Sequence, residues 1–181
     1  IDDNESEITH ILRGDDHLKN SAKHLQLMDA MGYKEPEFIH LPMILGPDGS
    51  RLSKRHGAMN ILEYKDQGFL PEAMLNYLVR LGWSFGDQEV FNIQEMIDAF
   101  DVKNINKSSA KFDLEKLEWL NQQHLSNSDN LELTEFLKLN TSLEELPSAK
   151  TVDSFIDAYK SRVNNLKELV GYFDSLYTEQ F

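Results

Sequence analysis

Two stretches of this sequence carry residue types that could do chemistry. The first is Leu45-Gly46-Pro47-Asp48-Gly49-Ser50-Arg51-Leu52-Ser53-Lys54-Arg55-His56-Gly57. Bounded by glycines, it holds the fixed cations Arg51, Lys54 and Arg55 around the Ser53 hydroxyl. Such a loop can fold over a polyphosphate and set an ammonium where negative charge builds on a transferring phosphorus. The same composition also suits a plain solvated basic loop. The second stretch is Ile8-Thr9-His10-Ile11-Leu12-Arg13-Gly14-Asp15-Asp16-His17-Leu18. It reads as a strand ending in Arg13, followed by the start of a helix, which is where doubly wound sheets place their ligands. A guanidinium there offers a planar fork that matches a carboxylate. An ordinary strand–helix connection with a surface Arg would look alike. His10, His17 and His24 fall seven apart, but His10 lies on the strand and Glu or Cys partners at ligand spacing are missing, so no structural metal is expected.

Secondary structure has to bring these stretches together. Residues 8–13 predict a strand, and Leu18, Ala22, Leu25, Met28 and Met31 a helix stopped by Gly32. Residues 38–45 predict a second strand, and Pro42 within it requires an edge position or an interruption. Connections this short make a βαβ unit at the end of a parallel sheet. Ile1-Asp2-Asp3 also opens close to a strand pattern. Gly46-Pro47-Asp48-Gly49 is a turn by its chemistry.

From about Asn60 onward, helices dominate. Pro71 stands at a first helical position before Ala73, Met74, Tyr77, Leu78 and Leu81, with Gly82 as the stop. Asn92 and Glu95 form a capping box, and Asp113 caps a helix carrying Leu114, Leu117 and Leu120. The polar run 126–130 is the best internal boundary. Beyond it lie 133–139 and a long amphipathic pattern from Val152 to Phe173, which Asn164-Asn165 breaks in two. The aromatic and Met positions between 73 and 120 are core.

The chain has 181 residues, 40% hydrophobic and 10% aromatic, which is enough for a packed core. It has no cysteine and no apolar run of the ~18 residues that span a bilayer. The expected setting is the cytoplasm, with no membrane partner. Net charge is −13, from 31 acidic and 18 basic residues. A phosphate backbone repels such a surface, so any RNA contact must be local. Arg51, Lys54, Arg55 and His56 form one dense basic patch, and Lys160, Arg162 and Lys167 a looser one. The first residue is not Met, and the chain reads as part of a longer protein.

The motifs resemble those of glutamyl-tRNA synthetases, class I aminoacyl-tRNA synthetases of bacterial or organellar type. Arg51-Leu52-Ser53-Lys54-Arg55 is similar to their KMSKS motif, and Arg13-Gly14-Asp15-Asp16-His17 to their Arg-Gly-acid-acid-His. The resemblance runs on through residues 40–49, Glu63-Tyr64, Gly68 to Ala73, Asn76-Tyr77-Leu78, Leu81 to Ser84, Phe112 to Leu117 and Trp119-Leu120-Asn121. It is dense over 1–125 and sparse beyond.

The resemblance implies ATP-dependent attachment of glutamate to tRNA through glutamyl-adenylate, with Mg²⁺ accompanying ATP. It makes Lys54 the catalytic residue, stabilising the α-phosphate as pyrophosphate leaves. Asp16, Ile44, Arg51, Leu52, Ser53, Lys54 and Arg55 become the ATP-binding set, with Ile44 meeting adenine through its backbone. Arg51 and Arg55 keep the charge of the usual motif, but not a compact ammonium. Arg13 would contact glutamate. Arg162 would sense the third anticodon base; a plain exposed Arg on an amphipathic helix is the other reading of that residue. The implied fold is mainly α: residues 1–57 close a Rossmann-type α/β catalytic domain, 58–125 form a helical stem-contact module, and 126–181 open a helical anticodon-binding domain. The family's HIGH motif would precede Ile1, so the chain alone is expected to be inactive. A glutamyl-queuosine synthetase is disfavoured by the helices after Ser126, and a glutaminyl enzyme by their not being a β-barrel. A helical scaffold or RNA-binding module would make the ATP loop decorative.

Overall fold

The computed structural model describes residues 1–53, 55 and 60–178. It opens with a short helix, α1 (Asp2–Glu5), where the sequence suggests a strand. Asp2, Asp3 and Glu5 fall in its first turn, where carboxylates meet the positive end of the helix dipole. β1 (His10–Gly14), α2 (Leu18–Met31) and β2 (Glu37–Leu41) then form the expected βαβ unit. β1 and β2 pair in parallel, from His10 opposite Glu37 to Gly14 opposite Leu41. α2 ends at Gly32, whose φ of 67° lets the Tyr33 amide reach back to the Met28 carbonyl.

Pro42 splits the second strand run as anticipated. β2 stops at Leu41, and β3 (Ile44–Leu45) joins a different sheet, pairing in parallel with β4 (Ala110–Lys111). β4 has no sequence signal, because two residues are too few to show an alternation.

The remainder is helical. α3 (Ile61–Asp66) and α5 (Ile93–Ala99) each open on a complete capping box, Asn60 with Glu63 and Asn92 with Glu95. α4 (Pro71–Gly82) starts at its proline. Asp113 caps α6 (Leu114–Asn127), Asp129 caps α7 (Asn130–Asn140) and Ser148 caps α8 (Ala149–Tyr159). A turn over 160–165 leads into α9 (Leu166–Thr178). No described helix is long and apolar enough to cross a membrane.

Among the described residues, apolar side chains gather in three clusters. Tyr64, Phe69, Met74, Tyr77, Leu117 and Leu120 join α3, α4 and α6, and Ile44 and Phe112 pack against them. Trp83, Phe91 and Met96 form a small aromatic group beside it. Leu125, Leu137, Val152, Phe155, Ile156, Leu169 and Phe173 unite the end of α6 with α7, α8 and α9.

Buried polar groups lock these layers. The Tyr77 hydroxyl donates to the Asp113 carbonyl at 2.9 Å and accepts from the Asp113 amide at 2.7 Å. Burial pushes its pKa up to about 12, so it stays a neutral donor–acceptor. The Asn76 side chain, fully buried in α4, donates to the Glu89 carbonyl and accepts from the Phe91 amide and from His124 Nε2. Burial also lowers the His124 pKa, with Glu72 opposing it, and keeps the ring neutral.

Tyr77→Phe should destabilise the chain by about 2 kcal/mol, since it strands a donor and an acceptor of Asp113. Urea unfolding reads this as a lower midpoint at unchanged slope; a midpoint equal to the parent's would refute it. His124 sets a pH dependence. The unfolded chain takes up its proton near 6.5, before the folded state does. The stability His124 contributes is therefore full above that pH and lost as pH falls toward the folded-state value. His124→Gln should flatten the decline of the unfolding midpoint below pH 6.5, and parallel curves for the two proteins would contradict this.

Candidate active site

The carboxyl end of β1 carries the first motif. Parallel register sets Arg13 opposite His40. The Arg13 guanidinium lies over the Phe38 ring, 4.8 Å from its centre, and Nη2 donates to Ser21 Oγ at 2.7 Å. Nη1 lies 3.5 Å from His24 Nδ1, and Ser21 Oγ is 3.0 Å from His40 Nε2. Arg13 Nε is buried with no partner among the described residues.

Gly14 follows, and a Cβ there would stand 2.6 Å from Asp16 Oδ1. Its lack of a side chain is what lets the Asp16 carboxylate fold back against the strand end. Asp16 Oδ2 meets Arg51 Nη2 at 3.2 Å. The two motifs, separated in sequence by α2 and β2, are thus joined directly.

The second motif leaves a tight reversal. The Gly46 amide donates to the Ser50 carbonyl at 2.8 Å and the Leu52 amide to the Ile44 carbonyl at 2.9 Å, and Gly49 takes φ 78°. Asp48 Oδ1 accepts from the Ser50 amide and hydroxyl, and Arg55 Nη2 donates to Ser50 Oγ at 3.0 Å. Ile44 is half-buried and its carbonyl is engaged by Leu52, so it serves as a core strand residue whatever else it contacts. Leu52 is half-buried and Ser53 exposed. Lys54 lies outside the described residues, as does His56.

The Asp16–Arg51 pair is two-thirds exposed on the arginine side. Exposed pairs contribute about 0–1 kcal/mol, so a polyanion can displace this one at little cost. Asp15, His40, Pro42, Asn106, Lys103 and Lys107 line a hollow of about 360 Å³ next to the strand ends. Among the described residues, no group of three or more His, Asp or Glu side chains converges on a point where it could hold a metal ion.

Arg162 is not part of this assembly. It is exposed in the turn between α8 and α9, where its amide donates to the Tyr159 carbonyl at 2.8 Å. Its basic neighbour Lys160 is already engaged, donating to the Ser128 carbonyl and to Asn130 Oδ1, both at 3.0 Å. The looser basic patch therefore shrinks to Arg162 and Lys167.

Ser21 and Phe38 escape a motif reading, and His40 falls in the 40–49 resemblance with no role marked. One signal was available for Ser21: it falls on the Leu18, Ala22, Leu25, Met28 stripe of α2, where an apolar residue is expected.

Comparison with known proteins identifies the family. A family model described as "tRNA synthetases class I (E and Q), catalytic domain" matches residues 1–119. The glutamate–tRNA ligase of Nitrosospira multiformis is 46% identical over 173 residues, covering 93% of this chain and 37% of the relative. That of Francisella tularensis subsp. novicida is 45% identical over 180 residues, covering 97% and 38%. Among solved structures, a glutamate tRNA ligase from Elizabethkingia meningosepticum, in complex with its amino acid, superposes with a TM-score of 0.80 at 34% identity. It covers 97% of this chain and 38% of its own. The chain spans little more than a third of the length of the relatives it matches. Since the family model takes in residues 1–119 of its 181, the chain belongs to the class I tRNA synthetases of the E and Q type.

Proposed function

We propose that the protein containing this chain activates glutamate with ATP and transfers it to tRNA. The observation that carries the reading is the 3.2 Å contact between Asp16 and Arg51, which joins the Arg13 strand end to the basic loop. A carboxylate held by Arg13 and a triphosphate held by the loop would then lie in one site. A carboxylate oxygen of glutamate attacks the α-phosphorus, the bond to the pyrophosphate oxygen breaks, and glutamyl-adenylate forms. The terminal ribose hydroxyl of tRNA then attacks the acyl carbon and AMP leaves.

In this reading Arg13 binds and orients the glutamate carboxylate. Asp16 and the backbone of Ile44 meet ATP; Arg51, Leu52, Ser53 and Arg55 form the loop over its phosphates. Lys54 supplies the ammonium that meets charge developing on the α-phosphate. Mg²⁺ comes with ATP as its counter-ion and supplies further charge neutralisation. Residues 1–57 act as the end of the catalytic domain, 58–125 as the stem-contact module and 126–181 as the opening of the anticodon-binding domain. The setting is the cytoplasm.

In the full-length protein, Lys54→Ala should slow glutamate-dependent ATP–pyrophosphate exchange about a hundredfold while the KM for ATP changes far less, because the contact is made mainly in the transition state. An exchange rate within about threefold of the parent would remove Lys54 from this role.

Arg162 supports a second test. A donor-only fork in the exposed turn between α8 and α9 can distinguish C from G at the third anticodon position, because the two bases present different edge groups. Arg162→Gln should narrow the preference for glutamate tRNA over glutamine tRNA in charging assays and leave tRNA-independent activation alone. An unchanged ratio of the two kcat/KM values would end the assignment.

A further inference from the structure

The Arg13 guanidinium is held by groups that neither motif contains. α2 has fourteen residues, and the one it buries is Ser21, 8% exposed, while Leu18 and Leu27 on the same helix stay open at 59% and 61%. A helix that buried this position only for packing would place an aliphatic residue there. Ser21 instead spends its hydroxyl on Arg13.

The donor arithmetic fixes the first bond. A guanidinium has no acceptor, so at 2.7 Å Nη2 donates and Ser21 Oγ accepts. Ser21 Oγ also lies 3.0 Å from His40 Nε2, and either atom donates according to the histidine tautomer, so the hydroxyl joins Arg13 to His40. Phe38 sets the plane: its ring lies under the guanidinium and stacks on His40, with centres 6.4 Å apart and planes 11° from parallel. Parallel register puts Arg13 and His40 side by side on neighbouring strands, so both ends of this link stand on rigid backbone. The buried Nε, without a partner among the described residues, is a donor still to be satisfied.

We propose that Ser21 is a positioning residue for glutamate, acting through Arg13: its hydroxyl holds the guanidinium in the orientation that receives the substrate carboxylate. The proposal rests on the glutamate-activating reading above. A mobile Arg would have to be ordered at each binding event, and bidentate recognition loses strength quickly with misorientation.

The test uses the full-length enzyme and ATP–pyrophosphate exchange. Ser21→Ala should raise the KM for glutamate about tenfold, with the KM for ATP and the thermal midpoint unmoved. Ser21→Thr, which restores a hydroxyl, should return the glutamate KM to within about threefold of the parent. Arg13→Ala should raise the glutamate KM by itself, and Ser21→Ala added to it should cost nothing more. Should Ser21→Ala fold poorly, Ser21→Cys keeps the volume with a weak acceptor and should give the same glutamate-selective rise.

A Ser21 effect that persists in the Arg13→Ala background overturns the proposal. So does a rise in the KM for ATP equal to that for glutamate, or a failure of Thr to restore binding. If Arg13→Ala raises the glutamate KM and neither Ser21→Ala nor Ser21→Cys does, the positioning role alone fails. If Arg13→Ala leaves it unchanged, the assignment of Arg13 to glutamate fails and takes the proposal with it.

Discussion

The helical part of this molecule depends on one buried amide. Asn121 is fully buried in α6; its Oδ1 accepts from the Leu70 amide at 2.8 Å and its Nδ2 donates to the Asn164 carbonyl at 2.6 Å. An amide buried without partners would cost several kcal/mol, so the fold must bring both turns to this one point on α6. One of them opens α4 and the other precedes α9. Gly68 completes the junction: its carbonyl accepts from the Leu166 amide at 2.9 Å, and a Cβ there would stand 2.7 Å from the Lys167 nitrogen. With φ at 86°, the position needs glycine for its conformation as well as its space.

That junction continues a path of paired backbone groups from one candidate site to the other. The basic loop leaves β3, whose Leu45 carbonyl accepts from the Phe112 amide at 2.8 Å. Asp113, next in the chain, holds the Tyr77 hydroxyl on α4 and caps α6. α4 begins beside the Leu70 amide that Asn121 binds, and Asn121 reaches the turn that carries Arg162. Gln122 steadies the same turn by donating to the Ser161 carbonyl at 3.2 Å. The spacing between the loop and Arg162 is therefore held by a run of backbone and part-buried hydrogen bonds rather than by surface ion pairs.

How much of this was legible in the sequence follows from how local each feature is. The βαβ unit, the break at Pro42, the capping box of Asn92 with Glu95, the proline start of α4 and the cap at Asp113 all depend on residues within a few positions of one another, and the structure has them as expected. β4 and the roles of Asn76 and Asn121 depend on partners far along the chain; Asn121 reaches 51 residues back to Leu70 and 43 forward to Asn164. In the sequence the two asparagines stand within stretches that carry the resemblance, but their roles show only as polar residues beside apolar stripes. At the candidate site, motif spacing marks Arg13, Asp16 and Arg51, but the contact between Asp16 and Arg51 needs the strand order. Ser21, Phe38 and His40 converge on one guanidinium only when a strand, a helix and a second strand are set together, which no spacing rule encodes. Local chemistry names the actors; tertiary contacts arrange them.

The two arginines of the site are held by opposite physics, and the contrast suits the proposed reaction. Arg13 rests on a ring face and on a serine that its helix buries, so its position is part of the fold. Arg51 is 66% exposed on its side-chain surface, and its partner Asp16 is 32% exposed. Water screens such a pair, and the entropy of ordering two side chains offsets much of its attraction. A residue that recognises the ground-state carboxylate gains from being fixed in advance, since no ordering cost is charged to binding. A loop that must close over a polyphosphate gains from the reverse, a resting contact weak enough to surrender. On an acidic chain of net charge −13, the Asp16 carboxylate gives Arg51 a local counter-charge, which under the proposed reading a phosphate group would replace. Under the proposed reading, the exposed pair would be a contact the loop gives up to phosphate, and the half-buried arginine the fixed reference beside it.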